Sequence, residues 1–273
     1  MKTCRYLFSI LFLEMITQIS FAQNNPNLPM IKEENVTYTS DGKIFTGFIA
    51  YPDHVQGKLP GILIIHEWWG LTDYPKNRAR QLARMGYIAM AADLFGNGKT
   101  AADPKEAQSL TMPFYQDPEL AKKRVDAALN ELKKNRQTDA GHMAAIGYCF
   151  GGFVVLNAAK LGTDVKGVVS FHGGLGGVLP RKEMLKAQIL VCHGGSDKFV
   201  SQADINTFKH QMDSIHADYT FKVYPDATHA FTNPDATKIG KQFNLPIEYN
   251  ALADKDSWHD MSVFFDRLFK KKP

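Results

Sequence analysis

At 273 residues the chain is of a size that α/β folds with one core commonly reach, since such folds run to roughly 200–250 residues as a single unit. Hydrophobic residues at 44% and charged residues at 22% are ordinary globular values, which excludes both a disordered tail protein and a polytopic membrane protein. The 32 basic and 28 acidic residues are scattered apart from a terminal run at Lys270 to Lys272, so the formal charge of +4 carries no nucleic-acid-binding stripe.

Lys2 and Arg5 precede the apolar stretch Tyr6 to Leu13, and Ser20-Phe21-Ala22 puts small residues where a signal peptidase cuts. Residues 1–22 therefore read as a secretory signal peptide, with a periplasmic or secreted protein as the expectation, although Glu14 is unusual in such a leader. Glu14, Thr17 and Gln18 also interrupt the apolar stretch well short of the roughly 20 residues of a membrane span, so no stable insertion is expected after cleavage. Loss of Cys4 with the leader would leave Cys149 and Cys192, too few for a disulfide framework. Residues 30–273 read as one domain.

That domain opens on β-formers at Val36 to Ser40 and Phe45 to Tyr51 around the turn dipeptide Asp41-Gly42, which predicts an antiparallel hairpin. Gly61 to Ile65 is a continuous apolar run of the kind buried on both faces in a parallel sheet. Helices and strands then alternate: helix Tyr74 to Met85, strand Tyr87 to Ala91, helix Pro118 to Lys134, strand Met143 to Gly147 and helix Gly152 to Leu161. Strands Lys166 to Phe171 and Gln188 to His193, helix Ala203 to His216, strand Tyr219 to Tyr224 and an amphipathic helix Ser257 to Phe269 complete the pattern. Gly96 to Pro104 and Gly173 to Pro180 read as surface loops. The implied architecture is a doubly wound, mostly parallel α/β sheet with N-terminal antiparallel strands, in which chemistry belongs beyond the carboxyl ends of the strands.

Residues at those ends are distinctive. The strand Met143 to Gly147 runs into Gly147-Tyr148-Cys149-Phe150-Gly151-Gly152 and an apolar helix, the strand, sharp turn and helix of a nucleophile elbow with cysteine as nucleophile. Glycines two positions before and after the cysteine leave room for the turn, and the helix N-terminus favours a thiolate. Asp197, in His193-Gly194-Gly195-Ser196-Asp197, and His229, after Tyr219 to Tyr224, follow in the chain order nucleophile, acid, histidine that the α/β-hydrolase arrangement uses. Singly, Cys149 could be a buried turn residue, Asp197 a turn residue and His229 a loop cap; their order and placement favour catalysis.

The loop His66-Glu67-Trp68-Trp69-Gly70 follows the first parallel strand, where the fold supplies its second oxyanion-hole donor. The backbone N–H groups of Trp68 and Phe150 are the expected donors, and Glu67 is expected to face the nucleophile as a proton acceptor or restraint, with a surface ion pair as its plainer reading. Gly70 stands where a zinc-binding His-Glu motif would need its second histidine, so no metal is expected, nor any other cofactor.

Together these residues resemble the dienelactone hydrolase family: a glutamate-bearing loop after an early strand, G-Y-C-x-G-G, a late G-x-D and a histidine followed at two residues by phenylalanine. The resemblance spans most of Val36 to Phe269 and implies an α/β-hydrolase fold, a Cys149–His229–Asp197 triad assisted by Glu67, and hydrolysis of an ester or lactone. Ala92-Asp93-Leu94-Phe95 matches the family's strand-end signature. Where relatives acting on dienelactone carry arginines that grip the substrate carboxylate, this chain has Gly96-Asn97-Gly98 and Asn233, with only Lys99 nearby as a flexible point charge.

An aromatic-walled pocket of Trp69, Tyr148 and Phe231, with Trp68 and Phe150 beside them, is expected for a small-molecule ester or lactone, although such residues also serve as core. A noncatalytic envelope protein that keeps the pocket for small-molecule binding is the alternative. A redox pair of Cys149 and Cys192 ranks below both, because they lie on different strands without C-x-x-C spacing.

Overall fold

The structure, a computed structural model, describes residues 29–269; the expected leader at residues 1–22 lies outside them. Strands β1 (Ile31–Ser40) and β2 (Lys43–Pro52) form the expected hairpin over Asp41 and Gly42, both at positive φ as a tight primed turn requires. The pairing begins at Ile31, earlier than the apolar pattern indicated, because the polar Lys32 to Asn35 segment pairs through backbone while its side chains face solvent at the sheet edge.

The rest alternates as β3 (Leu59–Ile65), α1 (Asp73–Arg84), β4 (Ile88–Ala92), α2 (Pro104–Gln116), α3 (Pro118–Lys134), β5 (Thr138–Tyr148) and α4 (Phe150–Lys160). It continues as β6 (Gly167–Phe171), β7 (Gln188–Gly194), α5 (Gln202–Ser214), β8 (Tyr219–Tyr224), α6 (Ala236–Phe243) and α7 (Ala251–Phe269). The strands form one eight-stranded sheet in the order β1-β2-β4-β3-β5-β6-β7-β8, antiparallel through β2–β4 and parallel from β4 onward.

Two elements were not foreseen. The helix α2 starts where the loop was expected to end, capped by Asp103, whose carboxylate accepts the Glu106 N–H at 2.9 Å, with Pro104 in its first turn. Its internal Pro113 and sparse buried positions, Ala107, Thr111 and Phe114, hide its period in the sequence. The helix α6 has only eight residues, too few for a period to register, and α7 begins six residues before the expected Ser257.

Alternation along the buried strands sends their side chains to two cores. Leu63, Ile65, Met143 and Ala145 join α3, α4 and α5 on one face, whereas Ile62, Ile64, Ala144 and Ile146 join α1 and α7 on the other. The chain leaves β3 for β4 on one side and returns across it to β5 on the other, so the topological switch point lies at the carboxyl ends of β3 and β5.

There β3 and α4 meet backbone to backbone. A Cβ on Gly151 would lie 2.3 Å from the Ile65 carbonyl oxygen and 2.7 Å from that of His66, and one on Gly147 would lie 2.0 Å from the Gly151 carbonyl oxygen. Because the obstructing atoms are main chain of central elements, Gly151→Ala is expected to destabilise the fold by about 3 kcal/mol. Gly176→Ala, in open space, is expected to stay within about 0.5 kcal/mol of wild type. Urea unfolding of both checks this; equal midpoints would mean that the β3–α4 contact is not close-packed.

Candidate active site

Cys149 sits between β5 and α4 at φ 52 and ψ −114, a conformation that costs a non-glycine residue energy and persists only where its surroundings enforce it. The surroundings are concrete. Its N–H donates to the Phe171 carbonyl at 3.0 Å and to His172 Nδ1 at 3.1 Å, which ties the turn to the end of β6.

His229 and Asp197 arrive from the β8 and β7 ends of the sheet. The His229 Nδ1–H donates to Asp197 Oδ2 at 2.8 Å, and the other Asp197 oxygen accepts the Phe199 N–H at 2.8 Å. Cys149 lies against the same imidazole. Burial works against a charged His229, but the negative charge of Cys149 and the Asp197 carboxylate outweigh it and raise the imidazole to about 10. Burial works likewise against an ionised Asp197, yet His229 and the Phe199 amide hold it below the usual carboxylate range.

The loop after β3 is anchored by His66, whose Nδ1–H donates to the Glu67 carbonyl at 2.5 Å while Nε2 accepts the Leu94 N–H at 3.2 Å. Asp93 accepts the N–H groups of Phe95, Gly96 and Gly98 at 2.8–2.9 Å, so the strand-end signature is a loop clasp. Among the described residues neither the Trp68 nor the Phe150 N–H is spent on a protein acceptor, which leaves both expected oxyanion donors free. Lys99 is paired with Glu106 at 3.3 Å.

Glu67 is buried, and its carboxylate accepts the Asn233 Nδ2–H at 2.6 Å. Asn233, noted in the sequence only as a missing arginine, is thus the group that holds Glu67. Burial raises the Glu67 carboxyl to about 7, opposed by that hydrogen bond and by the fields of His229 and Arg78. No hydrogen bond joins Glu67 to Cys149 among the described residues; the two share the same cavity.

That cavity has a volume of about 380 Å³ and receives Cys149, His229, Glu67, Trp68 and Trp69. Tyr148 and Phe231, expected in its wall, do not reach it. Both are fully buried in the core beneath α1 and α7, Tyr148 stacked on Phe171 and Phe231 edge-on to His172, because residues flanking a strand-end turn point to the back of the sheet as readily as to its rim. The Phe150 ring also packs inward, against His66, Phe95, Phe114 and Tyr115, leaving only its backbone for the site. The missing walls come from α2, with Met112 and Tyr115, from Phe199 and Val200, and from Leu245 and Ile247 after α6.

His172 is the functional neighbour that the sequence did not reveal. Accepting the Cys149 N–H at Nδ1 fixes its tautomer, so Nε2–H donates to Thr232 Oγ1 at 2.7 Å, and Thr232 shares a 2.7 Å hydrogen bond with Tyr74. Arg78 donates to the Thr232 carbonyl at 2.7 Å and pairs with Asp254 behind it. Burial, with the charges of His229 and Arg78, holds His172 well below the ordinary histidine range, so it is neutral. A histidine directly after β6, at another strand end, was the available signal. Among the described residues no group of three or more His, Cys, Asp or Glu side chains is arranged to hold a metal ion.

The Dienelactone hydrolase family matches residues 45–269. A protein of Yersinia pestis named as a carboxymethylenebutenolidase is 27% identical over 239 residues, covering 84% of this chain and 86% of its own. Among solved structures, the dienelactone hydrolase-like promiscuous phosphotriesterase P91 from metagenomic libraries superposes with a TM-score of 0.82 at 31% identity, covering 88% of this chain and 99% of its own. A Klebsiella pneumoniae dienelactone hydrolase-like structure, at 22% identity and a TM-score of 0.75 over 87% of this chain and 99% of its own, shares the fold. With the family matched over most of its length and the α/β-hydrolase sheet beneath the site, this chain belongs to the dienelactone hydrolase family and is an ester or lactone hydrolase.

Proposed function

We propose that the chain hydrolyses its ester or lactone through a Cys149 acyl-thioester, with His229 as proton carrier and Asp197 as its orienting partner. The observation that carries this reading is the placement of Cys149, at the tip of a strained strand-to-helix turn, against an imidazole whose far nitrogen is held at 2.8 Å by a buried carboxylate.

In the reacting form His229 carries the proton and Cys149 attacks as the thiolate. The sulfur attacks the carbonyl carbon, forming the C–S bond, and the developing oxyanion falls to the N–H groups of Trp68 and Phe150. Collapse breaks the C–O bond, and His229 gives its proton to the departing alkoxide. Acylation removes the Cys149 charge, the strongest influence raising the imidazole, so His229 becomes a base when a base is needed. It takes a proton from water, the hydroxide adds to the thioester, and the C–S bond breaks to regenerate thiolate and imidazolium. The carboxylic acid product then ionises in solvent.

Two neighbours support the cycle. A neutral His172 holds the Cys149 N–H on the back side of the turn, away from the oxyanion donors, and leaves His229 as the local cation. Glu67, near neutrality in its ionisation, can shelter or release a proton beside the sulfur. An exported location for the mature chain is part of the same proposal and rests on residues 1–22 alone.

Cys149→Ala is expected to abolish turnover of p-nitrophenyl esters while the circular dichroism spectrum is kept; unchanged turnover would remove Cys149 as nucleophile. Wild-type kcat/KM should hold through neutral pH and decline near pH 10, where His229 loses its proton. Asp197→Asn should lower the rate by roughly 10³–10⁴-fold and shift that alkaline limb toward neutrality, as a pH profile of both proteins would reveal. For His172→Ala the expected change is a kcat about 10–100-fold lower with KM nearly unchanged, since the turn loses an anchor and the substrate loses no contact. Equal losses in kcat/KM through KM alone would contradict that positioning role.

A further inference from the structure

The cavity over Cys149 has a chemical character that the catalytic groups do not require. Among the described residues, the only ionisable side chains lining it besides Cys149 and His229 are Glu67 and Tyr115, and no lysine or arginine does so. Tyr115 is uncharged, its phenol pushed up by burial and by Cys149. Apart from the Cys149 sulfur, Glu67 is the one group among the described lining residues that can place a negative charge there, and its partner Asn233 is a neutral amide. The Arg78 guanidinium is committed behind the site to Thr232, Asp254 and Gln81, and Lys99 is paired with Glu106.

The remaining surface is apolar and partly rigid. Trp69 is edge-on to Trp68 with ring centroids 5.0 Å apart and stacks on Phe243 of α6 at 5.7 Å, so the floor beside Glu67 is an aromatic platform. At the mouth, Met112, Tyr115 and Phe199 are 37%, 43% and 52% exposed, so three large apolar side chains border one opening. Phe199 also lies edge-on to the His229 ring at 4.9 Å, so an arriving substrate meets apolar surface up to the catalytic imidazole.

We infer that this site takes uncharged esters or lactones carrying an aryl or branched-alkyl group, and that it discriminates against substrates bearing a carboxylate on either side of the scissile bond. The inference rests on the hydrolase reading above and adds the class of substrate. An anionic group entering the cavity would exchange water for apolar walls, face the Cys149 sulfur and Glu67, and find among the described lining residues no cation besides His229, which Asp197 and Cys149 already hold. An uncharged aryl or branched group instead covers the Trp69 platform and the Met112, Tyr115 and Phe199 rim, and the volume of about 380 Å³ falls within the ~300–1,000 Å³ of small-molecule pockets.

Matched substrates test this with intrinsic reactivity held nearly constant: p-nitrophenyl valerate against p-nitrophenyl hemiglutarate for the acyl side, and phenyl acetate against 4-acetoxybenzoate for the leaving side. The uncharged member of each pair is expected to have a kcat/KM at least about tenfold higher, with both activities lost in Cys149→Ala. Met112→Arg places a cation at the rim, on an exposed face of α2 where arginine suits a helix, and should shrink that ratio severalfold; Gln108→Arg, one turn earlier on the same wall, is the second variant should the first fold poorly. Cys149-dependent turnover of the anionic members at equal or higher kcat/KM would overturn the substrate class and leave the hydrolase reading standing. A ratio unmoved in both arginine variants would also count against it. No turnover of any member by folded wild type would overturn the hydrolase reading, and the substrate class with it.

Discussion

The site depends on one backbone constraint, the strained turn at Cys149. With φ at 52 the residue would relax if its neighbours allowed it, and they do not. Gly147 and Gly151 close against each other and against the carbonyls ending β3, while the Cys149 amide is held by two acceptors at the end of β6. Three adjacent parallel strands in register are therefore needed before the sulfur can stand at the sheet edge, and the same register carries the β3 loop to the opposite side of the sulfur.

Electrostatic specialisation follows from that placement. Of the four described histidines at the carboxyl ends of strands, His66, His172 and His229 border the site, and their partners drive them to different states. His66 is a buried clasp between two loops, and His172 is a buried neutral acceptor for the Cys149 amide. His229, with a carboxylate on one nitrogen and the sulfur beside it, is the one whose charged form is favoured. Burial acts on all three in the same direction, so the carboxylate and the sulfur decide the difference. Glu67 stands apart as a carboxyl held by an amide, with a proton affinity near neutrality.

Chemistry and selectivity are carried by different parts of the fold. The candidate reacting groups Cys149, Asp197 and His229 sit on short turns at the carboxyl ends of β5, β7 and β8. The cavity walls come from α2, the segment before α5 and the residues after α6, all peripheral to the sheet. Changes there alter what fits without disturbing the turn, which is the usual way one scaffold serves many substrates.

Much of this was legible in the chain. The apolar run Gly61 to Ile65, the glycine-flanked Cys149 and the order Cys149, Asp197, His229 state their own reasons, because a both-faces-buried strand, a strained turn and a strand-end placement each leave a local mark. The inward rotation of Tyr148 and Phe231, the capture of Glu67 by Asn233 and the anchoring of Cys149 by His172 left none. Each depends on which face of the sheet a side chain takes or on partners up to 166 residues apart, and those are set only when the sheet closes its two cores. The short α6 and the proline-containing α2 fell between, too irregular to show a period and yet decisive for the walls of the cavity. The sequence by itself determined the candidate reacting groups and the frame that carries them; the tertiary structure decided what surrounds those groups, because packing and long-range hydrogen bonds have no period along the chain.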